Sequence, residues 1–438
     1  MSRILSFSMV ALVVSGLAPA QQDPDARWTN WRGPGGTAIA ESGNPPTEWS
    51  EEKNIHWKVP LPGLSSSSPV IWGDRIYVST SVETDSDTGR GPRRGRRGRG
   101  GAVAEYEFAV LAMDRGTGEV VWQTRVNKAV PHERGHQTNS QSSGSPITDG
   151  ERIYAYFGSR GLHCLDMDGE LLWSKEFGQM RTYNAFGEGT SPALYGDKLV
   201  LNWDHEGESF LAAFDKKTGK ELWRTSRDEG TSWSTPLIAP ADGEMQVITT
   251  ATRNSRSYDL QTGKLLWTLG GMTRNAIPTP IYVDGVAYLM SGYRGAKLQA
   301  VRLDGAKGDL SSSKNLLWSH DRETSYVPSA LIYGDFIYFI SSNNGRLSCL
   351  DKMTGEVHYE RQQLQMRTLY SSPVGAAGRV YLTSREGSTK VIKLGAEYEE
   401  IATNQLDDGF DATMAVIGDA IYLRGRENLY CIAETDRD

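Results

Sequence analysis

One phrase recurs along this chain at near-constant intervals and limits what the chain can fold into: A-F-D-K-K-T-G-K-E-L-W, Ala213 to Trp223. Further copies read M-D-R-G-T-G-E-V-V-W ending at Trp122, Y-D-L-Q-T-G-K-L-L-W ending at Trp267 and L-D-K-M-T-G-E-V-H-Y ending at Tyr359; looser copies end at Trp173 and Trp318. Each position has a physical task. The apolar run Phe210 to Phe214 reads as a strand, Asp215 and Thr218 can hydrogen-bond turn backbone, and Gly219 accepts the positive φ that side chains resist. Glu221 to Trp223 then restarts a strand, ending in a ring large enough to cover a neighbouring sheet. Because Trp122, Trp173, Trp223, Trp267 and Trp318 recur at matching positions, they are read as structural and not as ligand contacts.

A second column opens each unit. Ser-Pro or Thr-Pro precedes a β-rich run, at Pro69, Pro146, Pro192, Pro236, Pro280 and Pro373, with Ala330 and Met414 in the same column. After each comes a Gly/Asp turn such as Gly73-Asp74, Asp149-Gly150 or Gly418-Asp419, the dipeptide signature of a hairpin. A strand, a loop, the Asp-column strand and the tryptophan strand follow. Each unit is therefore a four-stranded antiparallel meander, and repetition at this period predicts an all-β, eight-bladed β-propeller. The last unit stops one strand short, while I-H-W-K-V-P-L, Ile55 to Leu61, carries Trp57 without preceding partners. Inserting that N-terminal strand as the fourth strand of the last blade closes the ring and removes an exposed edge.

The remaining segments set the context. Residues 1–20 hold one Arg, an apolar run from Ile4 to Leu17 and Ala18-Pro19-Ala20, the pattern of a cleavable signal peptide. The expected location is periplasmic or secreted, without a transmembrane anchor in the mature chain. Residues 21–54 are rich in Gly and Pro and are expected to be an irregular segment against the body, pinned by Trp28 and Trp31, with the propeller over 55–438. Within 83–106 lies an Arg/Gly-rich insertion carrying Arg90, Arg93, Arg94, Arg96, Arg97 and Arg99, whose composition predicts disorder. It reads first as a solvated loop, with contact to a polyanion as the sharper alternative. The formal net charge of −7 and the export signal argue against nucleic acid as partner. Cys164, Cys349 and Cys431 fall at equivalent repeat positions, so they should be buried apolar residues and not disulfides.

These repeats resemble the pyrroloquinoline-quinone (PQQ) repeat family of eight-bladed propellers, whose signature is D-x-x-T-G-x-x-x-W. The opening W-R-G-P-G-G, P-T-E-W-S and W-K-V-P-L-P-G look most like its exported members of unknown role. The resemblance implies the fold. Quinoprotein dehydrogenases of the family carry adjacent cysteines over the cofactor and a calcium site; no two cysteines here are adjacent, so neither PQQ, calcium nor alcohol oxidation is expected. The family's outer-membrane assembly lipoprotein has an acylated cysteine, and no cysteine lies near the expected cleavage site.

Chemistry is then sought at the channel mouth, where loops entering successive blades converge. Those loops should gather His136, Arg181, Tyr183, Glu188, Arg227, Trp233, Arg274, Tyr326, Arg367, Tyr370 and Asp411. Rings, cations and acids in a concave site suit an anionic or hydroxyl-rich ligand such as a sugar chain, and the expected ligand is a carbohydrate or a protein. The expected function is an exported, non-catalytic binding propeller; the alternative is a polysaccharide lyase or hydrolase with His136 and Tyr183 or Tyr326 as acid/base pair. Asp204, His205, Glu206 and Glu208 form a possible cation cluster, more simply a solvated turn; no metal is expected.

Overall fold

The computed structural model describes residues 26–84 and 104–434. The expected signal peptide over 1–20 and the six arginines of the insertion lie outside the described residues. The strands on either side of the insertion do not: Arg75–Glu83 and Tyr106–Asp114 stay paired as far as Glu83 opposite Tyr106, on the mouth face.

Eight sheets, antiparallel except for one added parallel strand, account for the described strands. The blade built on the recurring phrase shows the pattern: Ala193–Tyr195, Lys198–Trp203, Ser209–Asp215 and Glu221–Arg227, in that order from the channel outwards. The eighth blade consists of Ala415–Ile417, Ala420–Arg424 and Asn428–Ile432, and its outer strand is Ile55–Pro60 from the other end of the sequence. Trp57 pairs with Cys431, as the chain-end argument predicts.

The recurring turn works through one carboxylate. Asp215 Oδ1 accepts from the Lys217 N–H at 3.1 Å, the Thr218 N–H at 2.8 Å and the Thr218 hydroxyl at 2.7 Å. Gly219 has φ 69°, and a Cβ there would also lie 2.7 Å from the ring of Trp173 in the preceding blade. Glycine is thus required twice, once for its backbone and once because the neighbouring ring lies flat on it. The same contact recurs between Trp57 and Gly118, Trp122 and Gly169, Trp223 and Gly263, and Trp318 and Gly355. The indole N–H of Trp57 donates to the Arg115 carbonyl, that of Trp122 to Met167 and that of Trp223 to Leu260, at 2.9–3.1 Å. Trp267 differs because the next blade has no T-G turn. It is fully buried, donates to Gln246 Oε1 at 2.9 Å, and is covered by Leu303, Ala306 and Leu310 from a longer connection whose Gly308–Asp309 pairs in parallel with it. Cys164, Cys349 and Cys431 are free and buried, each in its own blade.

Residues 26–54 do more than lie against the body. Arg27–Trp28 adds a fifth strand on the channel side of the first blade, with Trp28 opposite Ile71. The chain climbs the channel, turns at Asn30–Gly33 and descends, with Ile39 bridged to Gly375 in the seventh blade. Trp28 is buried, and Gly33, at φ 66°, sits against its ring, where a Cβ would lie 2.6 Å away. The propeller is therefore stoppered from the face opposite the mouth.

Candidate functional site

The residue before each member of the proline column is Ser or Thr, and these side chains encircle the channel. The Ser68 N–H donates to the Ser145 hydroxyl at 2.9 Å, Ser145 N–H to Ser191 at 2.9 Å and Ser191 N–H to Thr235 at 3.3 Å. The run resumes with Thr279 N–H to Ser329, Ser329 N–H to Ser372 and Ser372 N–H to Thr413, each at 3.0 Å. Thr413 N–H donates to Ser68 at 3.0 Å and so closes the circle across the chain ends. In the sequence six of these hydroxyls are visible only as the first half of Ser-Pro or Thr-Pro pairs, and Ser329 and Thr413 precede Ala330 and Met414, all of which naturally read as strand starts.

Above this girdle is a cavity of about 340 Å³, open on the mouth face. Its floor is Trp31, at the apex of the N-terminal stopper; beside it Arg32 is buried, donating to the carbonyls of Gly36 and Ala330. Burial without a carboxylate partner pulls the Arg32 guanidinium down to about 9. The walls carry Phe186, Trp233, Tyr293, Tyr326 and Tyr370. Tyr293 and Tyr326 lie 4.7 Å apart at 30°, and the Trp233 N–H donates to the Gly187 carbonyl at 2.7 Å. Among the described residues Asp411 is the sole carboxylate of the lining and is engaged by both Arg385 and Arg426, while Arg385 also lies 4.2 Å over the Tyr370 ring. The loop carrying His136 arches across the mouth: Tyr370 donates to the Thr138 hydroxyl at 3.2 Å, and that hydroxyl meets His136 Nδ1 at 2.8 Å.

The structure thus gathers His136, Trp233, Tyr326, Tyr370 and Asp411 around one cavity, but six other residues expected there do not line it. Arg227 is fully buried between blades, its Nε and Nη2 on Asp204 at 2.7 and 2.9 Å and its Nη1 on Thr249 and Tyr258. Burial opposes its charge, yet Asp204 and the surrounding oxygens hold its pKa above the ordinary value. Glu188 turns inward to the Ser159 N–H and hydroxyl at 2.6 and 2.5 Å and to Arg160; burial raises its pKa against those partners. Tyr183 packs edge-on to Phe186, and Arg181 donates to the Glu206 carbonyl. Arg274 and Arg367 are exposed. His136 meets the Thr138 hydroxyl, backed by Tyr370, and the edge of the Phe186 ring, whereas Tyr183 packs on Phe186 and Tyr326 on Tyr293. Three of the four residues in the run around His205 are committed elsewhere, Asp204 to Arg227, Glu206 to Thr231, and His205 to the Arg181 N–H and the Glu208 carbonyl, while the Glu208 side chain is exposed.

One titratable group beneath this face sets a pH dependence. His163 is buried, donating through Nε2 to the Arg160 carbonyl and accepting at Nδ1 from Ser174, both at 2.8 Å. Burial pulls its pKa from 6.5 down to about 4. Between those values the unfolded chain binds a proton that the folded chain refuses, so its contribution is complete above pH 6.5 and is lost as pH falls towards 4. The expected loss is on the order of 3 kcal/mol. Urea unfolding of wild type and His163→Gln over this range should show the steeper slope in wild type; equal slopes would contradict the assignment. Glu188 acts in the opposite sense, since its raised pKa withdraws stability as pH rises.

A family model described as outer membrane protein assembly factor BamB matches residues 106–361 and 207–437. The chain belongs to that family. BamB of Yersinia pestis is 25% identical over 394 residues, spanning 86% of this chain and 92% of its own. The crystal structure of BamB from Moraxella catarrhalis shares the fold at TM-score 0.59 and 17% identity, covering 87% of this chain and 99% of that one. A europium-containing methanol dehydrogenase shares it at TM-score 0.65 and 11% identity, covering 92% and 90%. The fold is therefore common to an assembly factor and to a methanol dehydrogenase, and the residues must decide between them. Those at the mouth do not fit a quinone held with a metal ion: Asp411 is already engaged by two guanidiniums, and among the described residues no three His, Cys, Asp or Glu side chains come together as a metal site.

Proposed function

We propose that this chain is a non-catalytic, exported propeller that binds protein through its mouth face and serves the assembly of outer membrane proteins in the periplasm. The observation that carries this is the match to the Yersinia pestis assembly factor along 92% of that protein's length, a likeness of whole chains and not of isolated repeats. The mouth supports it: a concave, ring-lined surface with its acid neutralised suits a polypeptide, whose contact residues are typically aromatic.

The test is photocrosslinking in the cells that make the protein. A photoreactive residue at Arg274 or Arg367, both exposed beside the mouth, should give discrete polypeptide adducts; the same residue at Lys217, in an exposed turn of the opposite face, should give fewer. Equal adducts from both faces, or none from the mouth, would overturn the reading.

A further inference from the structure

We propose that the mouth cavity is a receptor for a single tyrosine side chain of a partner polypeptide, with the phenol ring held by the aromatic walls and its hydroxyl among the girdle hydroxyls. This rests on the protein-binding reading above and names the group that is bound.

The first argument is a donor count. Seven girdle oxygens accept a backbone N–H from a neighbouring segment and also line the cavity. Among the described residues none of the seven passes its own proton to a protein acceptor. Thr279 is the eighth; its hydroxyl donates to the Thr235 carbonyl at 2.6 Å, and Thr279 is absent from the lining. The base of the cavity therefore offers O–H donors that call for an acceptor at the tip of whatever enters.

The second argument is shape and ring chemistry. Phe186, Trp233, Tyr293, Tyr326 and Tyr370 come from different loops, so the walls present rings from several directions, and aromatic pairs gain from offset or edge contact. Trp31 closes the bottom, so the cavity admits the end of a side chain and not a threaded chain.

The third is charge. Asp411 is held by Arg385 and Arg426, which stand outside the lining, so the lining leaves no carboxylate unpaired, and an uncharged group enters with less desolvation cost than a carboxylate or phosphate. An aliphatic side chain would leave the hydroxyls unmatched, and phenylalanine would supply the ring without the acceptor. Tyrosine supplies both, and a site built around a hydroxyl should discriminate against the analogue that lacks it.

The experiment titrates the purified protein with N-acetyl-L-tyrosinamide, N-acetyl-L-phenylalaninamide, N-acetyl-L-leucinamide and a methyl glucoside, read by ligand-observed NMR. Tyrosinamide should bind about tenfold more tightly than phenylalaninamide, with leucinamide weaker still. Tyr326→Ala and Trp31→Leu should each weaken tyrosinamide by about tenfold, and Arg367→Ala should not. Thermal unfolding confirms that each variant is folded; the collar substitution Tyr326→Ala spares the girdle, so the test survives if the floor variant fails to fold. Equal affinity for tyrosinamide and phenylalaninamide, tighter binding of the glucoside, or no binding up to the solubility limit would overturn the proposal. Protein adducts at Arg274 without tyrosinamide binding would remove this inference and leave the protein-binding reading intact. Tyrosinamide binding without adducts would overturn the protein-binding reading and, with it, a partner's tyrosine as the occupant.

Discussion

Arg227→Met is expected to cost about 3–5 kcal/mol of stability, the usual penalty for leaving a buried ion without its partner. Arg227 and Asp204 are both fully buried, and Asp204 also accepts from the Ser232 hydroxyl at 2.7 Å. Removing the guanidinium strands that carboxylate and frees the Thr249 and Tyr258 hydroxyls from a shared donor. The double variant Arg227→Met with Asp204→Leu should recover much of the loss, because the charge that made the single change costly is gone. Chemical unfolding of the wild type, both single variants and the double variant gives the coupling directly. Arg181→Ala, at an exposed residue, should stay within about 0.5 kcal/mol of wild type. A loss at Arg227 no larger than that at Arg181 would return Arg227 to the surface.

Arg227 also shows where sequence reasoning stops. The repeats disclosed the fold because they carry period: Asp, Thr, Gly and Trp columns recur, strand alternation can be counted, and the missing strand of the eighth blade had only one candidate to fill it. The mouth has no such period. Its loops differ in length, and polar residues in them read alike whether they face water, a ligand or a buried partner. One signal was available: in Glu221–Arg227 the side chains of Trp223, Thr225 and Arg227 fall on one side of a two-residue alternation, so an inward Trp223 implies an inward Arg227. Glu188 offered no comparable clue, since it follows a loop and its burial depends on Arg160 in the adjacent blade. Trp31 reads as an anchor in the sequence, but W-R-G-P-G-G gives no hint that its turn stands inside the channel. That placement is a long-range contact which only the assembled ring creates.

The ring's closure should be its most cooperative joint, and Trp57→Ala tests it. Trp57 lies 6.1 Å from the Tyr422 ring, covers Gly118 of the first blade and donates to the Arg115 carbonyl, so its ring spans the seam between the two ends of the chain. Truncating a buried tryptophan costs about 3–5 kcal/mol. Trp223 makes equivalent contacts with Gly263 and Leu260, but within a continuous stretch of chain. The two substitutions should therefore lose similar free energy in different places. In Trp57→Ala, Ile55–Pro60 can leave the eighth blade while the other blades stay folded, because detaching it breaks no connection to a preceding blade. Hydrogen exchange should then show Asn428–Ile432 exchanging faster than the matching strand Ser209–Asp215, whereas Trp223→Ala should leave Asn428–Ile432 as protected as in wild type. The channel stopper limits how far the seam opens: Trp28 paired with Ile71 and Ile39 bridged to Gly375 hold the segment before Ile55 to the first and seventh blades, so the freed strand stays tethered on both sides of its gap. Uniform loss of protection through all eight blades in Trp57→Ala would mean that the seam has no independent opening, and that the ring unfolds as one unit.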